Sequence, residues 1–544
     1  MKSQLTLSKP TTFLITKTYK TLALVAILFS ISFSTYAQNV SYYINTDTGN
    51  DANNGLTTGT AWKTINKANA QNLQAGDKLL FNSDGSWHNG KIYFDANDVG
   101  TPANPIVVDK YGTNPRAVIY GGSSEGLYSV VAGIKIQNME FYGARMFSGS
   151  NTTCGIEFYR ECTTTTAPYI FIDNCKLEGF GKVGIFFIVW NNGLSNPRGF
   201  SDITVKNTSI FNCANAGLQV YAFGNTLEYR QTIFQNILID NVRASRNAGS
   251  TNITSYATGN GILVSQATNV IIQNCVADRN GEFDSSTAGA AGIAGIWFYD
   301  VNNGIIQNCE AFENYSSRVT DGNGFGIDGG CQNCIIQYCY SHDNQGAGFG
   351  LFQFGGTLNP HTNNTIRYNV SQNDARKNAM AGIYLWANNN TTEKISNDNI
   401  YNNTIYLDAN NLLPTAANTF GHTTGIRPPV GIKLLQSMSG CVDNVKVYNN
   451  IFYLDDADPN LAFFNPADYS NNMVNVPTNQ ILMQNNQYYK ANNPKFNWGA
   501  TYTTLAAWRT ATNQEKVGGS GANTGITTDP GLIWPGKAGT VVGA

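Results

Sequence analysis

Charge is scarce in this chain. Asp, Glu, Lys and Arg together make up 13% of its 544 residues. No basic tract occurs after residue 37, which argues against nucleic acid or an anionic membrane as partner. No continuous apolar run follows that point either, so no membrane span is expected. Helical periodicity is missing from the body of the sequence, which excludes a bundle. What is abundant instead is Gly, Asn, Thr, Tyr and Phe, the composition of an all-β protein with many turns.

Residues 1–37 stand apart. Lys2, Lys9, Lys17 and Lys20 precede the run "TLALVAILFSISFS", and "STYAQ" follows it. A charged start, a short apolar stretch and small residues predict a signal peptide cut after Ala37, hence a protein secreted, periplasmic or on the cell surface. Setting those four lysines aside leaves 30 basic residues against 36 acidic ones.

The rest repeats itself. "IKIQNMEFYG", "IFIDNCKLEGFG", "ILIDNVRASRNAG", "VIIQNCVADRNG", "GIIQNCEAFENY" and "CIIQYCYSHDNQ" are versions of one unit. The residue at the turn after the first of its strands is Asn138, Asn174, Asn207, Asn241, Asn274, Asn308, Tyr338, Tyr368, Asn402 and Asn449, at steps of 30 to 47. A second marker, Gly before an apolar residue, recurs at Gly155, Gly184, Gly217, Gly261, Gly295, Gly326, Gly348, Gly382 and Gly431. A unit of three short strands cannot bury its apolar face alone, but stacked units share a core. Asn suits a column of tight turns, because it tolerates left-handed backbone and its amide bonds the coils above and below.

On this ladder and the "SHDN" and "GI" punctuation, the chain resembles the right-handed parallel β-helix proteins, the family of pectate lyases and polygalacturonases. The resemblance implies an all-β fold: a single-stranded solenoid of about ten coils. Its expected divisions are a signal peptide at 1–37, an N-terminal cap and first coils at 38–130, helix repeats at 131–455, and a C-terminal coil and cap at 456–544.

Side chains alternate along the Gly-apolar strand, so Ile156, Ile185, Leu218, Ile262, Ile296, Ile327, Phe349, Ile383 and Ile432 are expected inside. The neighbours of these residues then point out, and Trp297, Tyr299, Phe352, Tyr384 and Trp386 gather around Asp328 on that outer wall. Rings of Tyr and Trp suit sugars, offering a flat apolar face and a polar tip. Burial of the same rings under covering loops is the alternative. The marker pairs Asp328 with Trp297 and Gly350, and the glycine leaves space beside the carboxylate. Such surroundings raise a carboxyl pKa and fit it for general acid or base work. Asp321, on the loop leading into that strand, and Asp343 and Asp374, at the ends of third strands, are candidates for the second carboxyl that glycosidic hydrolysis requires. The polygalacturonase resemblance likewise implies aspartates on this strand and its leading loop. The family's NTD and GHG strings are absent.

Arg376 and Lys377, with Lys433, form the basic group assigned to this face. Together they would hold a uronate, or drive a lyase reaction by abstracting the proton beside its carboxylate. His342 is placed among substrate-binding candidates, although "SHDN" is also a common turn string. Cys275, Cys309 and Cys339 form a column of small buried residues. Cys331 and Cys334 have zinc spacing but lack a second pair, so zinc is disfavoured. Disulfides Cys331–Cys334 and Cys154–Cys162 stay open as alternatives to free thiols. No cofactor is required, and calcium is open, with Asp321, Asn323 and Asp328 as oxygen ligands.

The expectation is a monomeric, secreted glycoside hydrolase that cleaves an acidic polysaccharide in a groove. The alternatives are a polysaccharide lyase or uronate epimerase, and a non-catalytic carbohydrate-binding adhesin.

Overall fold

The computed structural model describes residues 39–144, 153–224, 230–286, 292–316, 321–357, 359–388, 393–410, 412–414, 428–456, 458–469, 472–533 and 535–536. Residues 1–37, expected from sequence to be a signal peptide, lie outside these residues. From Ser41 onward the chain winds into a parallel β-helix, most of whose described strands join one 35-stranded sheet, with a separate three-stranded and a separate two-stranded sheet beside it. Among the described residues no helix is long and apolar enough to cross a membrane.

Each coil contributes a strand to each of three faces. On the face that carries the Gly-apolar strands, one inward column can be followed through the register. It runs Leu127, Ile156, Ile185, Leu218, Ile262, Ile296, Phe325, Phe349, Ile383, Ile432 and Phe464. All are buried, forming one apolar core along the axis. The stack therefore extends past the repeats visible by eye, from Ile92–Phe94 to Ala462–Asp468.

The turns behave as their residue types require. All ten marker residues, Tyr338 and Tyr368 included, adopt positive φ between 48° and 56°. Asn174 donates its amide to Asn138 Oδ1 (2.8 Å) and Asn241 to Asn207 Oδ1 (2.9 Å). Where tyrosines replace asparagines, the Tyr338 and Tyr368 rings stack instead, 5.4 Å apart.

Two further ladders lie inside the turns and are fully buried. In one, each Asn accepts from the backbone N–H and the side-chain amide of the rung before it, along Asn247, Asn280, Asn314 and Asn344. In the other, Cys275 and Cys309 give way to Cys339 and then to Asn369, Asn403, Asn450 and Asn486. Each ladder ends on an acceptor-only carboxylate, Asp374 in the first and Glu515 in the second. All ten cysteines are buried free thiols. At the C-terminal end the helix Leu505–Thr512 closes the core, with Trp508 stacked on Phe464 at 5.1 Å.

The register corrects one expectation. Trp297 pairs with Gly326, and Gly326 with Gly350. The true marker in this coil is Gly324, which stacks between Gly295 and Gly348. Asp328 accordingly falls one step along, following Ile327 and donating its N–H to Phe298 O (2.9 Å), which places it beside Tyr299 and Phe352. A slip of two residues preserves the in-out parity, so Asp328 still faces outward.

Candidate functional site

Strands Ala294–Gln307, Asn323–Ile327, Phe349–Gln353 and Ala381–Ala387 lie side by side, and a cavity of about 420 Å³ opens on their outer face. Asp321 and Asp328 both line it, with Trp297, Phe352, Tyr384 and Trp386 as aromatic walls. Gly326 provides floor rather than filling. Gly350 serves otherwise than expected: its missing side chain is the place of the Phe352 ring, which a Cβ there would strike. Phe352 meets Tyr384 edge to face at 5.8 Å.

Asp328 is the chemically distinctive group. Burial in the cavity wall raises its pKa to about 7, Asp321's charge adds to the rise, and the Gly329 N–H (2.7 Å to Oδ1) and His361 oppose it. A carboxyl balanced near neutrality can hold a proton and release it. Asp321 reaches the cavity from the loop before the strand, with a left-handed φ of 60°. Asn323 donates its amide to Asp321 Oδ1 (3.2 Å), and its own oxygen accepts the Ala347 N–H (2.8 Å). Of the three oxygen residues considered for calcium, Asn323 thus has its oxygen engaged by the backbone. Among the described residues no cluster of three or more His, Cys, Asp or Glu side chains is placed to hold a metal.

The other candidates lie elsewhere. Asp374 is the last rung of the first buried ladder, accepting from Asn344 and Ser371 (2.7 Å to Oδ2); burial raises its pKa to about 6. Asp343 and His342 belong to the third face. Burial opposes charging of His342, but bonds to Asp343 (2.9 Å) and Glu310 (3.1 Å) outweigh it and raise the pKa to about 9. Arg376 pairs with Asp408 at 3.0 Å. The Lys377 ammonium donates to Ser316 O, and burial lowers its pKa. Lys433 is buried, donates to Ala379 O (3.0 Å) and lies over the Tyr384 ring. None of these six residues lines the cavity, and neither does Tyr299.

Sequence reading missed Phe354, Asn388, Met380 and Tyr469 among the lining residues, whereas Leu435 continues the outward column of Phe352 and Trp386. Tyr469 follows the last strand of the face and stacks on Trp386 at 6.3 Å. It lies beyond the visible repeats, so no column pointed to it. Phe354 follows its strand and leans back over Gly329, where an added Cβ would come within 2.7 Å of its ring.

Comparison with known proteins agrees with this fold. A family model described as a right handed beta helix region matches residues 236–397. A lacto-N-biosidase of Bifidobacterium longum is 22% identical over 469 residues, 70% of this chain. The match spans 28% of that protein's length. The crystal structure of a GH136 lacto-N-biosidase from Eubacterium ramulus superposes with a TM-score of 0.51 and 17% identity, covering 72% of this chain and 67% of that one. The coils of this chain are those of a right-handed parallel β-helix.

Proposed function

We propose that the protein is a glycoside hydrolase, with Asp328 as proton donor to the glycosidic oxygen and Asp321 as the second carboxylate. One observation carries the reading: two carboxyls share an aromatic-walled cavity, and one of them has its pKa raised to about 7. Hydrolysis of a glycosidic bond needs that division, a protonated acid at the leaving oxygen and an ionised partner facing the anomeric carbon. As the bond breaks, Asp328 gives up its proton to the departing sugar and Asp321 stabilises or attacks the developing cation; water then bonds to the anomeric carbon, and the proton it loses restores the acid form of Asp328. Trp297, Tyr384 and Trp386 hold the ring in place. The names of the relatives, both lacto-N-biosidases, support the same class of reaction.

The cavity also favours a neutral saccharide over the acidic one expected from sequence. Its described lining contains two acids and no base, so a uronate would meet like charge and no counter-ion. The lyase alternative requires a cation at the substrate, and Arg376, Lys377 and Lys433 are engaged outside the cavity. We also take the protein to be exported, with residues 1–37 removed.

A panel of neutral p-nitrophenyl glycosides, lacto-N-bioside among them, together with neutral and acidic polysaccharides, tests the reading. New reducing ends without ultraviolet-absorbing unsaturated product are expected, with loss of at least a hundredfold in Asp328→Asn. Unsaturated product, or full activity in that variant, overturns it.

A further inference from the structure

Four aromatic rings leave the cavity in a row. Phe354, in the cavity lining, lies 6.0 Å from Tyr299; Tyr299 lies 6.4 Å from Tyr221; Tyr221 lies 4.7 Å from Phe223. The row follows the helix axis toward the N-terminal coils and is made possible by small residues at set places. Tyr221 and Tyr299 are two coils apart, a separation of roughly 9.6 Å at the spacing of parallel strands. Between them stands Ser265, whose short side chain is buried and donates to Val220 O (2.7 Å), so the two rings close over it. Gly329 serves in the same way under Phe354, since a Cβ there would meet both Phe354 and Thr357 at 2.7 Å.

The far end of the row is open. Phe223 is 43% exposed, and its register partner Trp190 on the neighbouring strand is 42% exposed. Single exposed rings are ordinary, but two adjacent ones that continue a row into a cavity form a patch with a direction. The outward column beside this row holds Gln219 and Leu263, one polar and one apolar residue, neither charged.

We propose that this stretch, from Phe354 to Phe223 and Trp190, binds the continuation of the glycan chain whose end occupies the cavity. The inference rests on the hydrolase reading for the identity of the occupant. A glycan laid along the axis crosses strands at right angles, and the rings of Phe354, Tyr299 and Tyr221 would meet it at every second coil. Ring faces and edges take the apolar sides of sugars, and Gln219 with the tyrosine hydroxyls supplies hydrogen bonds. The absence of charge in the row fits a neutral chain, as the cavity does.

The test uses the full chain, the double variant Phe223→Ala/Trp190→Ala and, separately, Asp328→Asn. Native gels cast with β-glucan, xylan, mannan or galactan report polymer binding, and kcat/KM is measured on products of rising chain length. Wild type and Asp328→Asn are expected to be retarded by at least one polymer, and the double variant to lose tenfold or more of that affinity. The variant's loss in kcat/KM should grow with chain length. Equal retardation of variant and wild type, retardation of none by any polymer, or a loss independent of length overturns the proposal. Retention that depends on Phe223 and Trp190, with no cleavage of any glycoside, keeps the binding stretch and overturns the hydrolase reading alone.

Discussion

Asn344 donates both its backbone N–H (3.2 Å) and its side-chain amide (2.8 Å) to a single oxygen of Asp374. The pair explains why an acid stands where earlier coils carry asparagine. Every rung passes two donors to the next coil, so the last rung must accept without passing anything on, and a carboxylate does that. Replacing Asp374 with Ala leaves the buried Asn344 N–H without its acceptor, while the side-chain amide keeps Ala311 O (2.9 Å) and Ser341 Oγ (3.0 Å), a loss of about 1–3 kcal/mol of stability. Asp374→Asn keeps the accepting oxygen and should stay within about 1 kcal/mol of wild type. Urea denaturation of the two variants measures this, and a drop in glycosidase activity without unfolding would instead return Asp374 to the chemistry.

Asp328 should make the protein less stable as it ionises. Its folded pKa, about 7, lies above the ordinary carboxyl value near 3.9, so the native state holds more protons than the unfolded one between these values. Stability therefore falls as pH rises from about 4 to 7 and levels off above. Asp328→Asn removes that cost. It should raise stability at pH 8 by about 2 kcal/mol, less than the full shift implies because the carboxyl borders an open cavity, and should change little below pH 4. Thermal melts at the two pH values decide it; a variant less stable at pH 8 would contradict the assigned burial.

The same group sets the alkaline limb of activity. A proton donor with pKa about 7 must be protonated in the free enzyme, so kcat/KM should fall tenfold per pH unit above that value. Asp321→Asn removes a negative charge that raises Asp328, and the residual activity should lose its alkaline limb at a lower pH than wild type. An alkaline limb unmoved by that change would mean the two carboxyls do not act as a pair.

The fold was legible because its signals repeat. An asparagine that recurs at left-handed turns declares the solenoid many times over, and alternation within the strands fixes which residues face out. Of the cavity lining, the columns point to Trp297, Phe352, Tyr384, Trp386 and Asp328, and the loop entering the Asp328 strand points to Asp321. The segment "DGNGFGID" holds three glycines, and spacing alone could not show that Gly324, not Gly326, is the one in register. Asp374 and the basic residues lie outside the cavity lining for a reason that sequence does not display. A buried ladder end and a capped lysine look, in sequence, like chemistry at a rim, because burial and bonding partners come from neighbouring coils thirty or more residues away. Phe354 and Tyr469 reach the cavity from strand ends, where the period of two no longer governs direction.

Gly350 offers the most selective probe of the cavity wall. Its missing Cβ is where the Phe352 ring lies, and an alanine methyl would collide with that ring. Phe352 lines the cavity beside Tyr384, so the displaced ring has the open side available and should swing into the space a sugar needs. Gly350→Ala should thus cost about 1–3 kcal/mol of stability through overpacking and reduce kcat/KM by tenfold or more. The double variant Gly350→Ala/Phe352→Ala relieves the collision and should recover the stability lost to strain, while binding stays weak for want of the ring. Differential scanning calorimetry and steady-state kinetics on the single and double variants separate the two effects. If Gly350→Ala left both quantities unchanged, the Phe352 ring would not lie over Gly350 in solution, and the wall drawn here around Asp328 would be wrong at that point.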